Sequence, residues 1–137
     1  MNARNVVINA NDFDRLSELV HSPRFRTSHA PLVMVLEREL GRGQVLPPTG
    51  VPEGVVTMNS KVRFRDLRAG RRETYTLVYP AEADVESARL SVLAPLGTAL
   101  LGANVGEVVE CRTPGGPRRL KVERILYQPE AAGDFHL

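Results

Sequence analysis

Residues 90–127 constrain the fold of this chain more than any other segment. They read LSVLAPLGTALLG, a short gap, and then VGEVVECRTPGGPRRLKVERILY. Leu90 to Val92 predict a short strand. Pro95 starts and Gly102 stops a helix of about two turns, because proline is tolerated in a helix's first turn and glycine is favoured just past its end. Residues 107–112 and 118–127 predict two strands joined at Pro114-Gly115-Gly116. A phosphate loop would need a Gly-Lys-Ser/Thr or a helix after the glycines; here a strand follows, so the glycines make a hairpin turn.

Upstream, Val62 and Phe64 alternate with Lys61, Arg63 and Arg65, the pattern of a half-buried strand. Residues 67–71 (LRAGR) predict a turn and residues 74–79 (TYTLVY) a second strand that Pro80 closes. Residues 81–88 read as an acidic loop. Five strands, expected to be antiparallel, with one short inserted helix make a curved α+β half-barrel over residues 53–137.

The first 52 residues read differently. Residues 5–9 (NVVIN) form a short β-like lead, and Asn11 or Asp12 caps a helix running to about His21. Asp12 and Asp14 suit the positive end of its dipole. Phe13, Leu16 and Val20 share one face, with Leu19 beside them. Ser22-Pro23 stops this helix, and a second begins between Ser28 and Pro31 with an apolar stripe of Leu32, Val33, Leu36 and Leu40. The two stripes predict a short antiparallel, coiled-coil-like helical hairpin. Residues 46–54 (LPPTGVPEG) read as the linker, which puts a domain boundary near residue 52.

With 18 basic and 16 acidic residues the net charge is +2, so no global field draws this chain to nucleic acid and no direct nucleic-acid binding is expected. The single cysteine, Cys111, excludes an intramolecular disulfide and fits a reducing compartment. The N-terminus lacks a signal pattern, and no apolar run approaches the ~20 residues a membrane helix needs. A cytoplasmic monomer without membrane contact is expected. His21, His29 and His136 are scattered and form no metal-ligand set, so no metal, cofactor or catalytic residue is expected.

Two features remain as candidate contacts. Lys61, Arg63 and Arg65 share a strand face that suits nucleic acid or an acidic protein surface, although Trp is absent and no aromatics are interleaved for base stacking. The loop Leu93-Ala94-Pro95-Leu96 places apolar residues where polar helix caps are favoured, as a hydrophobic staple or a contact surface.

The C-terminal part resembles the FKBP-like domain of the bacterial Gre transcript-cleavage factors. The whole chain is similar to the small Gre-related regulators of nucleoside diphosphate kinase, on the strength of VVTMNSKVRF (55–64), TLVYPA (76–81), LSVLAPLGTALLG (90–102), TPGG (113–116) and YQPEAAGDFHL (127–137). The resemblance implies a protein that binds RNA polymerase at the rim of the secondary channel, competes with Gre factors and affects nucleoside diphosphate kinase levels. It implies polymerase contact through Leu93, Ala94, Pro95 and Leu96, aided by Lys61, Arg63 and Arg65. Where Gre factors carry an acid and a serine before this proline, the chain has Leu93 and Ala94.

Transcript cleavage by Gre factors uses two carboxylates at the arm tip to help hold Mg²⁺, an ion that wants hard oxygen ligands. The expected tip, residues 21–31 (HSPRFRTSHAP), has no Asp or Glu and carries Arg24 and Arg26. Arm helices of about 11–15 residues extend roughly 16–22 Å at 1.5 Å per residue, short for reaching the polymerase centre. The expected function is therefore a non-catalytic, polymerase-binding regulator. The rivals are a Gre-like cleavage or antipausing factor and an RNA-binding module built on the arginine-rich strand. A prolyl isomerase, which lines its pocket with aromatics, fits poorly.

Overall fold

A computed structural model of the chain describes residues 6–137; the Asn5 end of the expected β-like lead lies outside the described residues. β1 (Val7–Asn9) runs directly into α1 (Ala10–His21), followed by α2 (Pro23–Ser28) and α3 (Ala30–Arg42). The cap of α1 is Asn9, whose side chain accepts from the Asn11 N–H at 2.8 Å. Asn11 and Asp12, the expected caps, lie inside the first turn, and Asp12 is turned into the protein. Ser22-Pro23 ends α1 as expected. Proline at a first helical position also starts a helix, so the tip is the extra helix α2. Leu16 and Val20 of α1 meet Val33, Leu36 and Leu40 of α3 in the core, giving the helical hairpin.

β2 (Gln44–Leu46) returns to pair in parallel with β1, Val7 opposite Gln44 and Asn9 opposite Leu46. The expected linker is thus anchored at its start. Further along, the Gln128 side-chain amide donates to the Pro52 and Val55 carbonyls, both at 2.8 Å. A partner more than seventy residues away, Gln128, cannot be read from local pattern, which is why this stretch looks like free linker in the sequence.

The main sheet has the order β5-β4-β3-β7-β6, made of β3 (Lys61–Asp66), β4 (Arg72–Val78), β5 (Arg89–Ser91), β6 (Val108–Thr113) and β7 (Gly116–Tyr127). Four strands are antiparallel neighbours, but β5 pairs with β4 in parallel, Thr76 opposite Arg89. The expectation of a wholly antiparallel sheet needs this correction. Residues 79–88 are no tight hairpin: a 3-10 turn at Pro80–Glu82 and a left-handed Ala88 (φ 53°) carry the chain back before β5 starts, as a parallel pair requires. Register shifts between β3 and β7 at Lys61/Val62 and Arg63/Phe64 curl the sheet. α4 (Pro95–Leu100) packs inside the curl, and α5 (Pro129–Ala132) closes the chain.

One apolar cluster joins these parts. It includes Leu16 and Leu36 from the hairpin, Val62, Phe64, Leu120 and Val122 from the sheet, and Leu93, Leu96 and Leu100 around α4. Strand alternation turns Lys61, Arg63 and Arg65 away from it. Among the described residues, no helix is long and apolar enough to cross a membrane.

Candidate functional site

The loop entering α4 is held by its own backbone and two hydroxyls. The Leu93 N–H donates to Ser91 Oγ at 3.0 Å, and Thr98 Oγ1 donates to the Val92 carbonyl at 2.5 Å. The Ala94 N–H bonds the Ser91 carbonyl at 3.0 Å, and the Thr98 N–H bonds the Ala94 carbonyl at 2.9 Å. Leu93 and Leu96, only 2% and 7% exposed, are core residues. The expected contact set is therefore split. Presenting either leucine would give up burial worth about 2 kcal/mol each. What the loop offers outward is Ala94 and Pro95, both half-buried.

Gly97 explains why this helix can lie so close to β5. A Cβ there would meet the Ser91 carbonyl oxygen at 2.0 Å, a backbone atom that the turn has already fixed. Gly97→Ala is expected to cost about 3 kcal/mol through forced displacement of the loop. A urea titration showing a loss below 1 kcal/mol would mean that the loop tolerates the shift.

Pro95 lies at one side of a groove of about 810 Å³. Its walls are α3 (Pro31, Leu32, Val35), α4 (Pro95, Thr98, Ala99) and the edge strand β6 (residues 108–112). Val35 and Val108 are 40% and 41% exposed, and Glu39, Arg42, Glu110 and Arg112 make a mixed charged rim. An apolar floor with a charged rim is an arrangement that protein-docking surfaces share. Cys111 lines the groove, but burial pushes its thiol above the ordinary range, so it stays protonated and unreactive.

The other expected site residues lie elsewhere. Lys61, Arg63 and Arg65 are on the opposite face of the sheet from Leu93 and Leu96, so one flat partner surface cannot meet both sets. At the arm tip, Arg24 is exposed beside the Phe25 ring. Arg26 is tied back: its guanidinium donates to the Val20 carbonyl at 2.8 Å and lies 3.6 Å from Glu37. Ser28 Oγ is 2.7 Å from His29 Nδ1, yet it also bonds the Arg24 carbonyl at 2.8 Å, the ordinary back-bond of a helical serine. No group of three or more His, Cys, Asp or Glu able to hold a metal occurs among the described residues.

A buried polar junction, which the sequence reading missed, fixes the arm to the sheet domain. Glu130 accepts from Asn9 Nδ2 at 2.5 Å and from Thr57 Oγ1 at 2.7 Å. Asp12 accepts from the Met58 N–H at 3.2 Å and from the Tyr79 hydroxyl at 3.4 Å. The VVTMNS and YQPEAAGD runs thus meet each other and the start of α1. Asp12 is 1% exposed, and burial, followed by the nearby Glu130 charge, raises its pKa from 3.8 to about 7 against the opposing bond from Met58. The folded state holds this proton more tightly than the unfolded chain, so stability falls as pH rises from about 4 to about 7 and levels off above. Asp12→Asn is expected to flatten that fall and to gain on wild type by a few kcal/mol at pH 8, roughly 4 at most. Parallel pH profiles of the two proteins would contradict it.

The chain is similar to known proteins. The family profile described as "Transcription elongation factor, GreA/GreB, C-term" matches residues 51–127. The regulator of nucleoside diphosphate kinase of Escherichia coli is 42% identical over 138 residues, covering all of both chains. The transcription elongation factor GreA of Ralstonia nicotianae is 31% identical over 96 residues, 69% of this chain and 61% of that protein. Among solved structures, a prokaryotic transcription elongation factor GreA/GreB from Nitrosomonas europaea superimposes with a TM-score of 0.76 at 37% identity, over 91% of this chain and 100% of that one. The chain belongs to the GreA/GreB family of transcription elongation factors, as a member similar from end to end to a regulator of nucleoside diphosphate kinase.

Proposed function

We propose that this protein is a transcription regulator that docks on RNA polymerase at the rim of the secondary channel without stimulating transcript cleavage. The groove between α3, α4 and β6, with Pro95 at its side and Ala94 next to it in the loop, is the docking surface. The arm points inward from there and competes for the place a Gre factor would take. As the name of the E. coli relative suggests, the outcome includes an altered level of nucleoside diphosphate kinase, and this happens in the cytoplasm.

The observation that carries the reading is an arm tip without carboxylates on a GreA/GreB-type domain. α2 occupies the tip and holds Arg24 and Arg26. Glu37, a helix away on α3, faces Arg26 and His21. α2 itself carries no Asp or Glu to offer Mg²⁺ as hard oxygen ligands. α1 and α3, of 12 and 13 residues, rise only about 18–20 Å.

The test is transcript cleavage in backtracked complexes. The purified protein is expected to leave the cleavage rate at the level of polymerase alone, while a GreA factor raises it in the same preparation. Stimulation approaching that of GreA would overturn the non-cleaving assignment and support a cleavage factor.

A further inference from the structure

The net charge of +2 conceals a one-sided distribution. The sheet register gathers basic residues from separate segments onto the outer face. Arg65 of β3 lies opposite Arg72 of β4 on one side and Lys121 of β7 on the other. Lys61 and Arg63 precede Arg65 on the same face, and Arg119 of β7 stands opposite Glu110 of β6. With Arg124 of β7 opposite Arg63, seven cations thus share the outer face of three adjacent strands. The acids among them are Glu110 and Glu123, and Glu123 is engaged by Arg72 at 2.9 Å and Arg63 at 3.8 Å. Among the described residues, no ion pair to Lys61, Arg65 or Lys121 is formed. The rest of the chain is accordingly net negative. Arg63 Nε is buried without a hydrogen-bond partner; its one contact of opposite charge is the long ion pair to Glu123.

From this face we infer a second binding surface, one for the phosphate backbone of a nucleic-acid duplex. Three properties select that occupant. A protein interface of this size needs an apolar or aromatic centre depleted in charge, and here the centre is Arg63, Arg65 and Lys121. Single strands are held by stacking on several aromatic side chains. Of the aromatic rings of this sheet, Phe64 and Tyr75 point inward and stack on each other at 5.8 Å. That leaves Tyr127, at the end of β7 opposite Lys61 and tied through its hydroxyl to Asp134, as a single ring rather than a stacking platform. Phosphate contacts need only Arg, Lys and hydroxyls, and Thr74 and Thr76 lie opposite Arg63 and Lys61. From β4 across β3 and β7 to β6 the face spans roughly 14 Å at 4.8 Å per strand. That width bridges phosphates on both sides of a major groove of about 12 Å. The surface lies on the other side of the sheet from the α4 loop, so it does not depend on the polymerase reading. It departs from the expectation, drawn from net charge, that no nucleic acid is bound.

The test uses the full chain alone, without polymerase. Anisotropy of a labelled duplex of about 20 bp is measured against the protein from 50 to 200 mM KCl, beside the matching single strand and polyglutamate. With about five phosphates engaged, log K should fall with log salt at a slope of roughly −4.5, about 500-fold across that range. Lys61→Gln/Arg65→Gln/Lys121→Gln should weaken duplex binding at least about 30-fold at 50 mM and reduce the slope to about −2. All three side chains are exposed, and circular dichroism and the urea midpoint confirm that the variant is folded. No duplex binding by the wild type at 50 mM KCl, or a triple variant that binds as the wild type does, overturns the inference. Single strand bound as tightly as duplex overturns the duplex assignment. Polyglutamate competing as well as unlabelled duplex reassigns the face to an acidic protein.

Discussion

Glu130→Ala is expected to destabilise the protein by about 3 kcal/mol and to lower its melting temperature by roughly 10 °C. The carboxylate accepts from the buried Asn9 amide and the buried Thr57 hydroxyl. Truncation strands both donors away from water, and an unsatisfied buried donor costs about 1–3 kcal/mol. Relief of the Glu130 charge near Asp12 offsets part of this. Glu130→Gln supplies the control. Its carbonyl can still accept from Asn9, and its amide can donate to Thr57, whose own proton then goes to Ser60 Oγ at 2.9 Å. A loss within about 1 kcal/mol is expected for Gln. Equal losses for Ala and Gln would show that the charge, not the hydrogen-bond set, holds the junction. Because this junction ties α1 to both VVTMNS and the C-terminal run, Glu130→Ala should also raise hydrogen exchange in α1 before it raises exchange in β3 and β7.

Val35→Glu/Val108→Glu is expected to abolish docking on RNA polymerase, with affinity reduced by at least about 30-fold. Both valines are exposed on facing walls of the groove, so the fold has no reason to fail. A carboxylate buried on an apolar partner without a counter-charge costs several kcal/mol. Leu93→Asp would be a poor substitute, because it places a charge in the core and unfolds the loop rather than testing contact. The outer-face triple Gln variant is the paired control and should bind polymerase within about threefold of wild type, since steering charges far from a contact change affinity little at physiological salt. A double valine variant that binds normally would move the docking surface away from the groove.

How much of this was legible in the sequence follows from which signals are local. The α4 turn, the β6–β7 hairpin and the alternation in β3 are set by neighbours a few residues apart, and they stand where the periodicity put them. The parallel pairings of β1 with β2 and β4 with β5 depend on crossovers that no short window contains. α2 hides behind a proline that reads equally well as a stop and a start. Asp12 looked like a dipole-favoured surface acid, because nothing near it in sequence announces that Met58 and Tyr79 close over it. The candidate site divides in the same way. Pro95 was identifiable from its place at a helix start. The inward turn of Leu93 and Leu96 follows from the Ser91 and Gly97 contacts and needed the fold. Arg63 and Arg65 were visible as a strand face, whereas their union with Arg72, Arg119 and Lys121 is a product of register alone.

Occupancy of the Gre-factor site on RNA polymerase is measured by titrating labelled protein against core RNA polymerase and then adding an unlabelled GreA factor. Saturable binding that GreA displaces in full is the predicted result. Binding that GreA leaves untouched, or no binding at micromolar polymerase, would contradict it.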